Sequence, residues 1–571
     1  MKNFMLYVKL FFKNKLLAIT SALFWLALIV LGIMEVAAIN DSMIILGEIL
    51  RLSIWFLIFF VFISYEYFYK TKASALEECA KTTEKYHSIY VNQFVVLLLL
   101  NGIVFFTLVF FGVVSYFKAA VHQIEYLIHI VLNYFINIFV LGLLGILIGL
   151  FAALLLKRLT AYLFLTFFAL LTSQYFYSIA VSFMSSKNID IFPIYEFFNL
   201  YSPALNWRPN YQFGLSLLPY RIELLVIWIC FFAAIILFVM SSHRFKYILR
   251  SVSALLTVIL IVNFVMYLQP SSKYNMNFNP SGSLWGDSYY YEEYDSRDPA
   301  FKTTPTVAEF KATGYKINVK IRSQLEAVVK IKIDTLNNYK NDDFYIFTLY
   351  HGFKVNKITD QQGNELCFTQ RDDFITLDNK GNELSDIGEL NFYYFGYHPK
   401  YYSNTQGICL PGHIVYYPIP GYIDLYDAEI DGGIPVLLDE TVPFEVEVDY
   451  HKKVYCSLPQ TGDNVFSGVT DGVTLLSGML TSRIVNGVEI IYPYLDIDQG
   501  KKEYMEQDVA RFLSAKAQAK DTTEIKKIMY LPSMNFRENE QAVKYSDYIT
   551  AIQIRTLDRL LYGVSDDTEK E

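Results

Sequence analysis

Apolar runs separated by short polar segments dominate the first half of the chain. Seven runs are long enough for helices that cross a hydrocarbon core of about 30 Å, which takes roughly 20 residues. They lie at 16–39, 44–68, 91–117, 126–156, 159–184, 222–241 and 251–268. The pattern predicts an α-helical membrane domain over 16–268 with seven transmembrane helices. In 1–15, apolar residues are mixed with lysines, which is typical of an amphipathic helix at the membrane interface.

The second half of the chain has a different pattern. Residues 269–309 are rich in proline, serine, asparagine and tyrosine, and we interpret them as a linker. In 327–334 and again in 443–451, apolar side chains then occupy every second position, which is typical of half-buried strands. We therefore predict a mainly-β domain over 310–500, built as an antiparallel sheet or sandwich. A helical or mixed C-terminal region follows at 501–571.

Lysine and arginine are unevenly distributed among the segments that connect the apolar runs. One set of segments holds Lys2, Lys9, Lys13, Lys15, Lys70, Lys72, Lys81, Lys85, Lys157, Arg158, Arg244, Lys246 and Arg250. The alternate short loops hold Lys118, Lys187, Arg208 and Arg221. Because basic residues concentrate on the cytoplasmic side, we expect the N-terminus inside and the β domain outside, in a multi-pass protein of a bacterial plasma membrane. The net charge of −8 argues against nucleic-acid binding.

The segment between the second and third runs is longer than a simple connection requires. Strong helix formers fill Ala73–Ala80, without glycine or proline. Ala73, Leu76 and Ala80 recur at helical spacing. We predict a short helix that lies along the inner membrane surface. An ordinary solvated loop is the alternative.

This layout, with Glu66 near the end of the second helix and a short helix before re-entry, resembles the permease subunit of type-2 ABC exporters. The resemblance covers about 1–242 and leaves 251–268 as an additional seventh helix. It implies a separate ATP-binding-cassette ATPase that binds ATP and magnesium, since this chain has no G-x-x-x-x-G-K-[ST] loop. It also implies a second permease, in a homodimer or a heterodimer. The implied ATPase-coupling residues are Glu66, Lys72, Leu76, Glu77 and Glu78.

Few polar side chains lie inside the predicted helices, and such residues are functional candidates by default. Glu48 and Arg51 stand three residues apart and can pair on a helix. Asn133 and Asn137 stand four apart and share a helix face. Together with Asn101, these residues form the predicted translocation path. The alternatives are a structural ion pair near the headgroups and hydrogen bonds between helices.

The fourth apolar run, 126–156, is the longest, and we expect it to be tilted or to begin with an interfacial turn. It contains a G-x-x-x-G pattern at Gly145 and Gly149. Two small residues one turn apart predict that another helix approaches closely at this point.

Four stretches of the predicted β domain resemble the N-terminal β domain of aminopeptidase N-type zinc peptidases. They are YKINVKIRSQLEAVVKIKIDTLNN at 315–338, LYHGFKVNKIT at 349–359, a D-x-x-G-x-E-L pattern at 360–366 and PFEVEVDYHKKVYCSLPQTG at 443–462. The resemblance covers about 310–495 and implies the fold of that domain.

The zinc motif of that peptidase family is missing. The motif H-E-x-x-H needs two histidines one helical turn apart with a glutamate as base, and no histidine in this chain is followed by glutamate. We expect no metal and no enzyme activity in the chain. The outer histidines are predicted to be surface or core residues: His351, His398, His413 and His451.

These patterns predict a membrane-spanning ABC exporter permease whose outer domain caps the exit or binds cargo. The cargo or ligand is left open among a peptide, a lipid-like molecule and a partner protein, and membrane lipids surround the helices. The alternative is a membrane-anchored sensor or scaffold that binds a ligand outside the cell and transports nothing.

Overall fold

A computed structural model of the chain divides into two compact units. The first, the helical unit, comprises Met1–Pro209 and Gly214–Lys273, and the second, the β unit, comprises Asn210–Phe213 and Tyr274–Glu571. The structure describes residues 2–74, 86–119, 123–187, 191–200, 210–217, 219–241, 245–269, 291, 305–335, 345–377, 387–398, 401–427, 432–496, 502–532 and 541–563.

The helical unit consists of apolar helices, as the hydropathy pattern predicts. Its elements are α1 (Lys2–Lys13), α2 (Lys15–Ala38), α3 (Ser42–Arg51), α4 (Ser53–Ala73), α5 (Tyr86–Lys118), α6 (Ile124–Tyr134), a π-helix (Phe135–Val140), α7 (Leu141–Leu155), α8 (Arg158–Leu171), α9 (Gln174–Lys187), α10 (Phe192–Phe198), α11 (Pro219–Met240) and α12 (Lys246–Leu268). Within the described ranges, six helical segments are long and apolar enough to cross a membrane, or seven if one bent pair is a single span. The side of the membrane on which each loop lies stays a prediction.

The bent pair is α8 with α9, which we expected to form one helix over 159–184. The two helices meet at an angle of 65°. At the break, the Thr172 hydroxyl donates to the Phe168 carbonyl at 3.0 Å and the Ser173 hydroxyl donates to the Leu170 carbonyl at 2.7 Å. Hydroxyl side chains that bond back onto the preceding turn compete with the backbone pattern. Two of them in succession therefore explain why α8 ends where the apolar pattern continues.

The G-x-x-x-G prediction is confirmed by the packing of α7 against α4. A Cβ atom added at Gly145 would lie 3.0 Å from the Leu57 carbonyl oxygen. One added at Gly149 would lie 2.7 Å from the Tyr65 nitrogen and 2.8 Å from the Val61 carbonyl oxygen. Real side chains do not fit at such distances, so the two glycines let the helix backbones touch. Replacing either glycine would force α4 and α7 apart.

The amphipathic N-terminal pattern forms α1, whose inner face packs against α4. The Tyr67 hydroxyl donates to the Tyr7 carbonyl at 2.9 Å. The Phe11 ring is buried and meets the Tyr67 ring edge-on, with centroids 5.1 Å apart. Leu6 and Phe12 on the other face are exposed. This division of faces suits a helix at a membrane interface, although its contact with lipid stays a prediction.

The β unit contains the following strands in its described part. They are β1 (Phe310–Ile321), β2 (Leu325–Thr335), β3 (Tyr345–Thr348), β4 (Phe353–Thr359), β5 (Thr369–Arg371), β6 (Phe374–Leu377), β7 (Glu389–Gly396), β8 (Ile408–Leu410), β9 (Ile419–Pro420), β10 (Tyr426–Asp427), β11 (Gly432–Gly433), β12 (Val442–Asp449), β13 (Tyr455–Cys456), β14 (Gln460–Gly462), β15 (Val465–Thr470), β16 (Leu475–Ser477), β17 (Leu480–Val485), β18 (Val488–Pro493), β19 (Lys527–Tyr530), β20 (Ala542–Lys544) and β21 (Tyr548–Ala551). Two helices accompany them, α13 (Lys502–Gln518) and α14 (Leu557–Tyr562).

The largest sheet has seven strands in the order β14-β15-β12-β1-β2-β7-β4, mostly antiparallel as predicted. The exception is β1, which pairs in parallel with β12. Smaller sheets have the orders β5-β6-β3-β9, β13-β16-β8 and β10-β11. The alternation read from the sequence is confirmed, since Val329, Ile331, Phe444 and Val446 are buried. Half-buried antiparallel strands produce this period of two.

The C-terminal region, predicted as helical or mixed, contains a mixed sheet with the order β17-β18-β19-β21-β20. Its first two strands precede residue 500, so the predicted boundary there cuts through one folding unit. Parallel pairing of β18 with β19 needs a crossover. The helix α13 provides it and buries Val509 and Phe512 against the sheet.

A carboxylate holds the end of α13 to the last elements of this sheet. The Asp521 side chain accepts hydrogen bonds from the Lys544 ammonium, from the Thr523 hydroxyl at 2.6 Å and from the Tyr562 hydroxyl at 2.7 Å. The Lys544 charge and these donors hold the pKa of Asp521 well below its usual range. The ionised carboxylate therefore stabilises the folded module.

The segment Asn210–Phe213 is a tightly held part of the β unit. Gln212 is buried, and its side-chain amide donates to the Ile408 carbonyl at 2.8 Å. Its own carbonyl accepts from the Met479 N–H at 2.8 Å. Gly478 has a φ of +146°, and a Cβ there would collide with the Gln212 carbonyl oxygen. Glycine is thus required for this close approach.

Candidate functional site

A chain of buried polar side chains runs along one face of the helix Ile124–Leu155, which comprises α6, the π-helix and α7. His129, Asn133 and Asn137 stand four residues apart and lie on one face. The Asn133 amide donates to the His129 carbonyl at 3.0 Å, and the Asn137 amide donates to the Asn133 side-chain oxygen at 3.4 Å. The Leu215 N–H donates to His129 Nε2 at 3.0 Å, which makes that nitrogen an acceptor.

Arg221 of α11 ends this series. It is 2% exposed, and its Nε and Nη2 both donate to the Asn137 side-chain oxygen, at 3.4 and 3.3 Å. Its Nη1 donates to the Asn199 carbonyl at 2.9 Å, and its Nη2 also donates to the Leu200 carbonyl at 2.5 Å. A charge so fully enclosed among apolar helices is costly unless several acceptors surround it. We call His129, Asn133, Asn137 and Arg221 the buried polar chain.

The π-helix Phe135–Val140 lies within this stretch. Asn101 of α5 is buried, and its amide donates to the Phe139 carbonyl at 2.8 Å. π-helical turns are rare and occur frequently at functional sites. The three asparagines predicted for a translocation path, Asn101, Asn133 and Asn137, therefore all lie in or against this one region.

The opposite end of the same helix contacts Lys72 of α4. The Lys72 ammonium donates to the Ala153 and Leu154 carbonyls, each at 3.1 Å. These carbonyls belong to the last turn of α7, where backbone acceptors are unpaired and a cation is favoured. Lys72 thus caps α7 electrostatically. The cap lies roughly 20 to 25 Å along the helix from Asn137, at about 1.5 Å per residue.

Glu66, which precedes Lys72 on α4, contacts α8. Its carboxylate accepts a hydrogen bond from the Tyr162 hydroxyl. Arg158 stands one turn before Tyr162, and its guanidinium lies 6.0 Å from the Tyr69 ring centroid. The predicted residues Glu66 and Lys72 therefore join α4 to the beginning of α8 and to the end of α7. The other predicted coupling residues lie outside the described residues: Leu76, Glu77 and Glu78.

Glu48 and Arg51 form the predicted ion pair, with Oε1 and Nη1 2.6 Å apart. Their side chains are 36% and 37% exposed, and they lie on α3. Their place in a translocation path stays a prediction. An exposed pair of this kind adds about 0–1 kcal/mol to stability.

Sequence reasoning missed three residues of these contacts. We counted Arg221 and Arg158 only as loop charges for orientation, and we gave Tyr162 no role. The spacing of Arg158 and Tyr162 at i, i+4 places both on one helix face, and this was the available signal. For Arg221 the signal was an arginine two residues before a glutamate at the start of an apolar run.

The β unit holds several histidines in its interior. His351 Nδ1 lies 3.0 Å from the Asp373 carboxylate, which also accepts from the Tyr291 hydroxyl at 2.7 Å. His413 is buried with Nδ1 2.7 Å from the Tyr545 hydroxyl. Burial, with the nearby His398, lowers the pKa of His413 to about 3. His413 is therefore a neutral core residue, and His351 is held in place by a carboxylate.

Solved structures similar to this chain are M1-type zinc peptidases. They include native leukotriene A4 hydrolase from Saccharomyces cerevisiae, with 14% identity and a TM-score of 0.31 over 46% of this chain and 44% of that chain. The M1 zinc metallopeptidase from Deinococcus radiodurans has 13% identity and a TM-score of 0.32 over 44% of this chain and 63% of that chain. An aminopeptidase N family protein from Idiomarina loihiensis has 9% identity and a TM-score of 0.28 over 42% and 41%.

The chain thus spans about two fifths to three fifths of the length of these peptidases. The predicted resemblance to aminopeptidase N-type proteins agrees with these neighbours in kind, and we carry over no activity from them. No family model matches the chain, whether of ABC permeases or of other proteins, and no curated protein matches it either. Among the residues that the structure describes, no group of three His, Cys, Asp or Glu side chains is placed to hold a metal ion.

Proposed function

We propose that the chain is the membrane-spanning permease subunit of an ATP-binding-cassette exporter, driven by a separate ATPase subunit. The observation that carries the proposal is the Lys72 cap. It holds the end of α4 to the end of the helix whose other half contains the buried polar chain. A force applied near Lys72 therefore acts on the helix that contains the intramembrane polar groups.

The α4–α7 contact explains how such a force would be transmitted. Because Gly145 and Gly149 leave no room for a Cβ atom, the two helices touch through their backbones. Packed elements of this kind move as rigid bodies and switch between discrete arrangements. In the proposal, the ATPase docks on 66–86, binds ATP and magnesium, and displaces α4. The helix α7, which is packed against α4, follows.

The buried polar chain would be the part that responds. Arg221 donates to three acceptors, which belong to Asn137, Asn199 and Leu200. A shift of Asn137 away from Arg221 would leave a buried cation with fewer acceptors, which favours entry of a polar cargo group or water. The proposed path therefore passes Arg221 and the π-helix. Asn101 holds the neighbouring Phe139 carbonyl.

The remaining expectations belong to the same proposal. The N-terminus lies inside and the β unit outside a bacterial plasma membrane, and two permeases form a homodimer or heterodimer that lipids surround. The β unit caps the exit or binds a peptide, a lipid-like cargo or a partner protein. Hydrolysis takes place in the ATPase subunits, so this chain itself is not an enzyme.

Lys72 offers a sharp test because a matched lysine control lies outside the proposed docking segment. Lys246 is exposed at the start of α12, and its side chain makes no hydrogen bond or ion pair within the described part of the chain. The tagged full chain is purified from its native membrane with any ATPase that accompanies it, and ATP hydrolysis is measured in proteoliposomes. Lys72→Met should lower hydrolysis about fivefold or more, the lower end of usual coupling factors, while Lys246→Met leaves it unchanged.

Two results would contradict the proposal. One is the absence of any ATP-binding-cassette ATPase from the purified material, which would favour the ligand-binding sensor or scaffold. The other is equal hydrolysis by Lys72→Met and Lys246→Met at equal ATPase content. A fall in hydrolysis that follows a fall in ATPase content would assign Lys72 to docking, and docking also supports the proposal.

A further inference from the structure

The β unit contains an open groove of about 670 Å³, separate from the contacts described above. Residues of 305–312, 419–423 and 434–442 line it, and most of their side chains are aliphatic. Small-ligand and peptide sites have volumes of about 300–1,000 Å³ and mainly apolar walls. We call it the β-unit groove.

One wall is an extended segment with one free backbone edge. The N–H groups of Ile434, Val436 and Leu438 donate to the carbonyls of Leu425, His413 and Asp471, at 2.9, 3.0 and 2.9 Å. Alternate residues of an extended chain direct their N–H and C=O groups to opposite sides. Leu437 therefore faces away from these partners, and no residue in the described ranges accepts from its N–H group.

The facing wall is the beginning of β1. This strand pairs with β12 only from Tyr315 onward, so in the described part of the chain no strand lies on that side of the preceding residues. Phe310, Lys311 and Ala312, which pair with β2 on their other side, line the groove. The groove therefore occupies the place of an absent strand, between β1 and the edge at Leu437. Unpaired edges of this kind readily accept an added strand.

The charges at the rim select among extended ligands. Asp439 and Glu440 are exposed at one end of the groove, and among the described residues that line it Lys311 is the one cation. Lys311 pairs with Glu440 at 2.5 Å, which leaves a net negative rim. A ligand with a basic group at this end is favoured, and an acidic ligand is disfavoured.

We propose that the β-unit groove binds an extended peptide, which adds a strand along the edge at Leu437 and directs a basic side chain to Asp439. The main-chain hydrogen bonds supply affinity and the apolar walls accept alternate side chains, as in other strand-addition sites. The inference does not depend on transport, because it uses contacts of the β unit alone.

The test uses the full chain in lipid nanodiscs and fluorescence anisotropy. The probe is a fluorescein-labelled peptide of alternating valine and threonine that ends in lysine. Two further probes have the same sequence with N-methylated alternate amides, or with glutamate in place of the lysine. Wild-type protein should bind the first probe saturably and the N-methylated probe about tenfold more weakly, which corresponds to about 1.4 kcal/mol. The glutamate probe should also bind more weakly.

Protein variants make the assignment specific. Leu437→Pro removes the free N–H in a segment that already contains Pro435, and Ala312→Trp fills the groove. Each variant should bind the lysine probe about tenfold more weakly than wild type does. Asp439→Lys should reverse the preference between the lysine and glutamate probes. Asp463→Lys, on the exposed turn between β14 and β15, is the charge control and should leave the preference unchanged.

Three outcomes would overturn the proposal. Equal binding of the parent and N-methylated probes would exclude strand addition. Equal binding by wild type and Ala312→Trp would place the peptide elsewhere. The third outcome concerns a fluorescent fatty acid that binds saturably to wild type but not to Ala312→Trp. If this fatty acid displaces the lysine probe, or if the lysine probe does not bind at all, the groove is a lipid site.

Discussion

Replacing Asn137 with leucine should measurably destabilise the helical unit. Leucine has the same branching at Cγ as asparagine and is the larger side chain, so the change leaves no cavity, but it removes the oxygen that accepts from Arg221 Nε and Nη2. Hydrogen bonds to charged groups contribute about 1.5–3 kcal/mol each. Those at Asn137 are long, at 3.4 and 3.3 Å, so we count the two as one bond.

A double-mutant cycle separates this contact from other effects. Asn137→Leu alone should cost about 2 kcal/mol. Arg221→Met removes the charge and leaves the carbonyls of Asn199 and Leu200 without these donors, at a cost of about 1–3 kcal/mol for each group. The loss of a buried charge offsets part of that cost. Since the double variant loses the shared contact only once, we expect a coupling energy of about 1.5 kcal/mol, near the upper end for membrane side-chain hydrogen bonds.

The assay is SDS titration of the full chain in mixed micelles, followed by tryptophan fluorescence. Asn263→Leu on α12 is the matched control, because the Asn263 amide donates to the Ile259 carbonyl of its own helix, at 2.8 Å. The control should cost less than about 0.5 kcal/mol. A coupling energy below about 0.3 kcal/mol, or an Asn137→Leu effect no larger than that of the control, would refute the reasoning.

Three further predictions concern the β unit. Gly478→Ala should lower its stability by about 2–4 kcal/mol, because the new Cβ meets the Gln212 carbonyl oxygen. Thermal unfolding measures this loss, and Gly487→Ala is the control because nothing lies within 4 Å of the added Cβ. The control should cost about 1 kcal/mol, from its positive φ alone. Asp521→Asn should destabilise the C-terminal module at pH 7, and unfolding curves at several pH values should show the difference shrinking as pH falls below about 3.9 toward the lowered folded-state pKa. The folded-state pKa of His413, about 3, lies below the unfolded value of about 6.5, so wild-type stability should decline as pH falls from 6.5 to 3. His413→Phe should reduce that decline, and an unchanged pH profile would contradict the assignment.

The hydropathy and alternation patterns predicted most elements because both are local consequences of burial. Residues such as Val329 and Ile331 need only face a core for the period of two to appear. The G-x-x-x-G contact was predictable for a similar reason, since small residues one turn apart have few other uses in an apolar helix. These features depend on neighbours within about one turn or one strand, which a sequence displays directly.

The remaining features depend on residues that are distant in sequence. The partner of Asn137 is Arg221, on another helix, and charge counting had already explained that arginine as a loop residue. The strands β18 and β19 lie on either side of α13, and nothing in their composition indicates that they pair in parallel. The break at Thr172 and Ser173 depends on side chains that bond backward, a choice that apolar periodicity does not report.

The arrangement of the helical unit also indicates which of its helices must deform if α4 moves. The contacts at Gly145 and Gly149 prevent α7 from sliding along α4 without backbone collision, and Lys72 holds the end of α7. Displacement at that end must therefore be absorbed beyond the glycines, toward the π-helix Phe135–Val140. A π-helix differs from an α-helix by one residue in its hydrogen-bond register, so conversion to α-helix would rotate α6 relative to α7. Asn133 would then turn with α6 while Asn137 stays closer to α7. Such a rotation would break the buried polar chain between these two asparagines, which makes the Asn133–Asn137 hydrogen bond the weakest point of the proposed path.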